Sequence, residues 1–166
     1  STNITARNKL HRVFHFFKQK ESLLNVEGLV SVCHKLGTTH TGALIVIERS
    51  VPLDFVIATG DKMNLELSGP IIESIFYKNS PLHDGAIVIR GNTIVATRVI
   101  LPVAAEDTLP KRYGLRHRAA VSITEKTDAT ALVVSEETGH ISYFKNGNFV
   151  RFANEEELIK MIQEDN

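Results

Sequence analysis

The chain has 166 residues, 43% apolar and 23% charged, which suits one globular domain with a sizeable core. Lysine plus arginine and aspartate plus glutamate both number 19, so the formal net charge is zero. That balance argues against non-specific binding to nucleic acid or an anionic membrane, and the lone Cys33 excludes an internal disulfide or a cysteine-rich zinc site.

Taken in chain order, Leu10, Val13, Phe14 and Phe17 recur at helical spacing and predict an N-terminal amphipathic helix over 8–20. Val26, Leu29, Val30, Cys33 and Leu36 mark a second helix, with Gly37 as its stop. Ala43 to Glu48 is short, apolar and β-branched, a buried strand, and a shorter strand is expected from Phe55 to Thr59. Ser68 is a candidate N-cap, with Pro70 in the first turn of a helix through Ile71, Ile72, Ile75 and Phe76.

Ala86 to Arg90 and Thr93 to Ile100 flank Gly91-Asn92, a two-residue hairpin signal. A short helix near Ala119 follows the Pro110 to Arg118 segment. Strands are expected at Ala131 to Ser135, Ile141 to Lys145 and Phe149 to Phe152, the last two joined by Asn146-Gly147. Asn154 and Glu157 form an N-cap and capping box for a last helix over 154–163. The expected fold is α/β. It is a single domain over 1–166 with its core at 22–152, and a central mixed sheet of about six or seven strands flanked by helices.

Three stretches carry chemistry. In Asn79-Ser80-Pro81-Leu82-His83-Asp84-Gly85-Ala86, an imidazole and a carboxylate sit at the mouth of a buried strand, and Gly85 would let a ligand approach the backbone. Asp84 could orient a hydroxyl, accept its proton or bind a divalent metal; read alone, Asp-Gly is also a common turn pair. In Lys111-Arg112-Tyr113-Gly114-Leu115-Arg116-His117-Arg118-Ala119-Ala120, guanidiniums and helix N-terminal amides could meet phosphate oxygens, although a solvated basic loop would read the same way. Ser135-Glu136-Glu137-Thr138-Gly139 ends a strand with a hydroxyl and carboxylates, suited to phosphate and metal or simply to a turn.

Other signatures are missing. Gly37 and Gly42 have P-loop spacing, but Ala43-Leu44 replaces the Lys-Ser/Thr pair, and neither GxGxxG nor GxSxG occurs. His11 and His15 lie four apart on a predicted helix with no local carboxylate or third ligand, and are read as surface or interface histidines.

Together, in this order, the three stretches resemble the diadenylate cyclase family, whose hallmarks are a DGA and an RHR motif. Here these are Asp84-Gly85-Ala86 and Arg116-His117-Arg118. Thr41-Gly42-Ala43-Leu44-Ile45-Val46-Ile47-Glu48, Pro81-Leu82-His83, Leu101-Pro102 and Val134-Ser135-Glu136-Glu137-Thr138-Gly139 extend the resemblance over roughly Val26 to Gly147.

The resemblance implies an enzyme that condenses two ATP into cyclic di-AMP and two pyrophosphates. Asp84, Arg116, His117 and Arg118 would be catalytic. Gly85, Ala86, Leu101, Gly114, Leu115, Ser135 and Glu137 would join Arg116, His117 and Arg118 in binding ATP. Mg²⁺ or Mn²⁺ would be held by His83, Asp84 and Glu137. Two copies would meet as a face-to-face homodimer, each 3′-hydroxyl attacking the other's α-phosphate. In-line transfer of this kind needs positioning and charge neutralisation more than covalent catalysis.

Two positions depart from the family pattern. Leu115 stands where threonine is usual, leaving a backbone N–H as its phosphate contact, and Ile100 stands where an aromatic is common. The Ala104 to Pro110 loop also differs. No nucleic-acid partner is implied. The chain starts at Ser1 and has no apolar run of the roughly 18 residues a membrane helix needs. The expected location is the cytoplasmic side of the membrane, tethered through segments outside this chain. Two other readings compete: a non-catalytic sensor of adenine nucleotide or cyclic di-AMP, and a metal-dependent phosphohydrolase using His83 and Asp84.

Overall fold

A computed structural model describes residues 5–10, 23–103 and 109–166. Residues 5–10 are helical (α1); the rest of the expected helix over 8–20 and most of the Ala104 to Pro110 loop lie outside the described residues. The elements that follow are α2 (Val26–Thr38), β1 (Ala43–Ile47), α3 (Asp54–Ile57), β2 (Asp61–Glu66), α4 (Gly69–Phe76), β3 (Ala86–Arg90) and β4 (Thr93–Val99). After them come α5 (Leu115–Lys126), β5 (Thr130–Val134), β6 (Ile141–Lys145), β7 (Asn148–Val150) and α6 (Glu155–Asp165).

The seven strands form one mixed sheet in the order β2-β4-β3-β1-β5-β6-β7, in which only β1 and β3 run parallel. The central strands β1 and β5 are buried on both faces, which is why they read as continuous apolar runs. On one face Ile45, Ile47, Ile87 and Leu132 pack against α2, α4 and α6. On the other, Leu44, Val46, Val88 and Val133 pack against α3 and α5. The caps expected at Ser68 and Asn154 form: each side chain accepts from the N–H three residues on, at Ile71 and Glu157.

Several expectations need correction. Phe55 to Thr59 is not a strand. Leu53, Val56 and Ile57 are buried while Phe55 is 55% exposed, which is helical spacing, and α3 forms there. The strand in this region is β2, whose partly buried Asp61, Met63 and Leu65 alternate with exposed Lys62, Asn64 and Glu66 along one edge of the sheet. Gly37 does not stop α2, which runs on to Thr38. A Cβ at Gly37 would lie 2.3 Å from the Gly139 carbonyl oxygen, so this glycine lets the helix touch the loop after β5. The helix near Ala119 begins at Leu115, putting Arg116-His117-Arg118 in its first turn. β7 is shorter and earlier than the expected strand, and α6 runs two residues further, to Asp165.

Candidate active site

β1 and β3 begin at the same end of the sheet at which β4 and β5 finish, since Ala43 lies opposite Val134 and Ala86 opposite Val99. The loops there, with the N-terminus of α5, enclose a cleft of about 800 Å³. Asp84, Gly85, Leu101, Gly114, Leu115, Arg116, His117, Ser135 and Glu137 all line it. Three other predicted site residues do not. Ala86 is fully buried in β3, His83 stands behind Asp84, and Arg118 turns to the loop before α5.

Asp84 projects into solvent, with its side chain 85% exposed. His83 Nδ1 lies 2.7 Å from the Ser80 carbonyl oxygen and Nε2 lies 3.2 Å from Asp84 Oδ1. A carbonyl only accepts, so Nδ1 carries the proton there. In the neutral ring Nε2 then presents a lone pair toward a carboxylate oxygen, an arrangement that suits a cation shared by the two.

Gly85 has φ +82°, and a Cβ there would lie 2.8 Å from the Val99 carbonyl oxygen and 2.9 Å from the Arg98 carbonyl carbon. The close approach it permits is therefore that of β4, not only of a ligand. The approach coincides with a bulge in β4, where Arg98 adopts φ +51° and its Nε donates to Asp61 at 2.5 Å.

The second wall comes from α5. Its N-cap is Gly114, which has no side chain to cap the helix, so the first amides are left for another acceptor. Arg116 lies 3.7 Å from Glu136. It also passes over Gly42, where a Cβ would sit 2.5 Å from Nη1. Gly42 thus makes room for a guanidinium, a role that its position just before a buried strand does not disclose in the sequence.

His117 is 9% exposed among aromatic rings, with centroids 5.1 Å from Tyr113 and 6.1 Å from Phe144. Burial, and then the charge of Arg116, hold its pKa below 6.5, which favours the neutral ring. Arg118 Nε donates to the Tyr113 carbonyl oxygen and Nη2 to that of Pro110, both at 3.1 Å. Leu44, Val99, Leu101 and Ala119 give the cleft an apolar floor. Arg112 and Tyr113 of the basic stretch, Glu136 of the stretch after β5 and His140 line it as well; the first three lie in the stretches that carry chemistry but had no individual role, and His140 was not named from the sequence.

The model of the DAC family, described as DisA bacterial checkpoint controller nucleotide-binding, matches residues 30–149. The chain belongs to this family. The match runs close to the Val26 to Gly147 span over which the sequence resembles diadenylate cyclases.

Among curated relatives in the family, a diadenylate cyclase CdaS from Bacillus thuringiensis is 44% identical over 72% of this chain and 59% of its own length. A diadenylate cyclase from Listeria monocytogenes is 41% identical over 82% of this chain and 50% of its own. The chain thus spans about half the length of these relatives. The crystal structure of a double mutant of DacA from Staphylococcus aureus superposes with a TM-score of 0.80 at 36% identity, covering 84% of this chain and 93% of that one. A hypothetical membrane spanning protein from Bacillus cereus gives a TM-score of 0.73 at 41% identity, over 77% of this chain and 63% of that one. No helix among the described residues is long and apolar enough to cross a membrane.

Proposed function

We propose that this domain is a diadenylate cyclase, joining two ATP molecules into cyclic di-AMP with release of two pyrophosphates. The observation that carries the reading is that Asp84, Ser135 and the uncapped first turn of α5 with Arg116, distant in sequence, line one nucleotide-sized cleft. Relatives named as diadenylate cyclases support it.

In this reading the base packs on the apolar floor near Leu101. The triphosphate meets Arg116, Ser135 and the amides of Leu115 and its neighbours. Asp84 holds the ribose 3′-hydroxyl and accepts its proton as the oxygen attacks the α-phosphorus of the second ATP. A new phosphorus–oxygen bond forms as the bond to the β-phosphate oxygen breaks, and pyrophosphate departs. Buried among aromatics, His117 fixes the helix turn that carries Arg116, while Arg118 acts on the preceding loop. Ala86 contributes packing beneath Asp84.

The residues present fit a divalent metal in part. His83 and Asp84 supply two donors, but no group of three histidine, cysteine or carboxylate ligands occurs among the described residues. Mg²⁺ or Mn²⁺ held there would complete its shell with phosphate oxygens and water, with Glu137 facing the same cleft. When bound it would neutralise phosphate charge and polarise the reacting phosphate.

The exposure of Asp84 calls for a partner. A base acting on the hydroxyl of one nucleotide must meet the α-phosphate of another, and a face-to-face pair of copies would deliver it. Leu115, 77% exposed, and Ile100, 68% exposed, would lie on the covered rim. Tethering to the inner face of a membrane, through segments beyond this chain, accords with the Bacillus cereus match.

The test is incubation of the purified domain with ATP and Mg²⁺ or Mn²⁺, followed by chromatography with mass detection. Cyclic di-AMP that disappears in Asp84→Asn supports the reading. ADP or AMP as the product would sink it, and ATP bound but left intact would make the domain a nucleotide-binding module.

A further inference from the structure

Of the arginines in the basic stretch, Arg112 and Arg116 line the cleft and Arg118 does not. The turn before α5 is closed by the Tyr113 N–H donating to the Pro110 carbonyl oxygen at 3.1 Å. The Arg118 guanidinium grips that turn at both ends, through the carbonyls of Pro110 and Tyr113. Within it, the Arg112 guanidinium carbon lies 4.8 Å from the Tyr113 ring centroid, and Nη2 donates to the Tyr113 hydroxyl at 3.3 Å. Tyr113 is itself backed by His117 and by Phe149, whose ring centroid is 5.0 Å away. Arg112 is thus laid on an aromatic platform whose position is set from three sides.

Charge gives this arrangement a use. Among the described residues, the cleft is lined by the carboxylates of Asp84, Glu136 and Glu137 against the guanidiniums of Arg112 and Arg116. Arg116 is shared with Glu136, whereas Arg112 forms no ion pair with any described carboxylate. A triphosphate entering beside these acids needs a cation that is not already engaged. Stacking on Tyr113 occupies one face of the Arg112 guanidinium and one of its N–H groups, leaving further donors in a fork that matches phosphate oxygens. Pre-placement on the ring lowers the entropy lost when they engage.

We propose that Arg112 is the second phosphate-gripping guanidinium of the cleft, and that Arg118 is a positioning residue that acts through it. This rests on the reading of the cleft as an ATP site. A lysine at 112 would keep the charge but lose the stacked, forked geometry.

The test is equilibrium binding of ATP, inorganic pyrophosphate and adenosine to the wild-type domain and to Arg112→Ala, Arg112→Lys, Arg118→Lys and the Arg112→Ala/Arg118→Lys pair. Arg112→Ala is expected to weaken ATP and pyrophosphate roughly tenfold to a hundredfold, the usual range for a hydrogen bond to a charged group, and to leave adenosine unchanged. Arg112→Lys should fall between. Arg118→Lys should weaken ATP in the wild-type background but add no loss once Arg112 is gone, because it works through that side chain. Unchanged ATP binding in Arg112→Ala, or an equal loss of adenosine, overturns the phosphate role. A full additional loss in the double variant overturns the positioning role. A wild-type domain that binds no ATP removes the cyclase reading itself, an outcome distinct from either.

Discussion

At the end of the sheet remote from the cleft, Glu48 follows β1 with its side chain only 8% exposed. Its carboxylate accepts from Arg90 Nε at 2.5 Å, from Arg90 Nη2 at 2.9 Å and from the Leu53 N–H at 2.9 Å. Arg90 also reaches Asp54 at 3.2 Å, and Asp128 nearby takes the N–H groups of Val51 and Ser50 at 3.0 and 2.9 Å. Among the residues that line the cleft, the same residue types are held loosely. Asp84 is 85% exposed beside one histidine, and Arg116 stands 3.7 Å from Glu136. Carboxylates and guanidiniums that satisfy one another fix loops. Those left partly unsatisfied around a concave surface remain available to a ligand.

Substitutions at the two ends should therefore separate stability from activity. The largest effect is expected for Asp84→Asn. A rate loss of roughly a hundredfold to ten-thousandfold, the range for a lost general base, should leave ATP binding and thermal stability close to wild type. A near-normal rate would remove Asp84 from its assigned role. At the other end, Glu48→Ala leaves the Leu53 N–H without its acceptor and Arg90 with Asp54 alone, and should cost about 2 kcal/mol in urea unfolding, with ATP affinity unchanged. If ATP affinity fell as well, the two ends would be coupled.

Gly42→Ala places a methyl group 2.5 Å from the Arg116 guanidinium, which can move because it is the tip of a long side chain. ATP affinity should drop about tenfold, the loss of one charge-assisted bond, with little change in Tm. A large fall in Tm would assign Gly42 to the fold instead.

The smallest effect concerns His117. Its folded pKa lies below the unfolded 6.5, so the unfolded chain binds the extra proton first. The stability contributed by the neutral, buried ring is complete above pH 6.5 and is lost as pH falls through the lower folded value. His117→Gln should flatten the fall of Tm with pH in that window. An equal slope in the variant would show that another group sets it.

How far the sequence reached differed between fold and site. β1, β3 and β5, with the helices α2 and α4, were legible because burial on both faces, or on one helical stripe, leaves apolar runs of distinct period. The edge strand β2 was not, since its inward face carries only Met63 and Leu65 as apolar residues, with Asp61 at the third inward position. The short α3 was misread because Phe55 has strand propensity, yet it is Leu53, Val56 and Ile57 that the core takes up.

The sequence by itself determined the family and nine of the residues that line the cleft, since motif spacing survives without coordinates. Only the tertiary structure decided how each is used. It sends Arg118 to the backbone and puts Arg112 on the Tyr113 ring, makes Gly42 yield space to Arg116, and sets Gly85 against β4. Each of these depends on contacts between segments far apart in the chain or on the direction in which a side chain leaves its turn. Local periodicity carries neither.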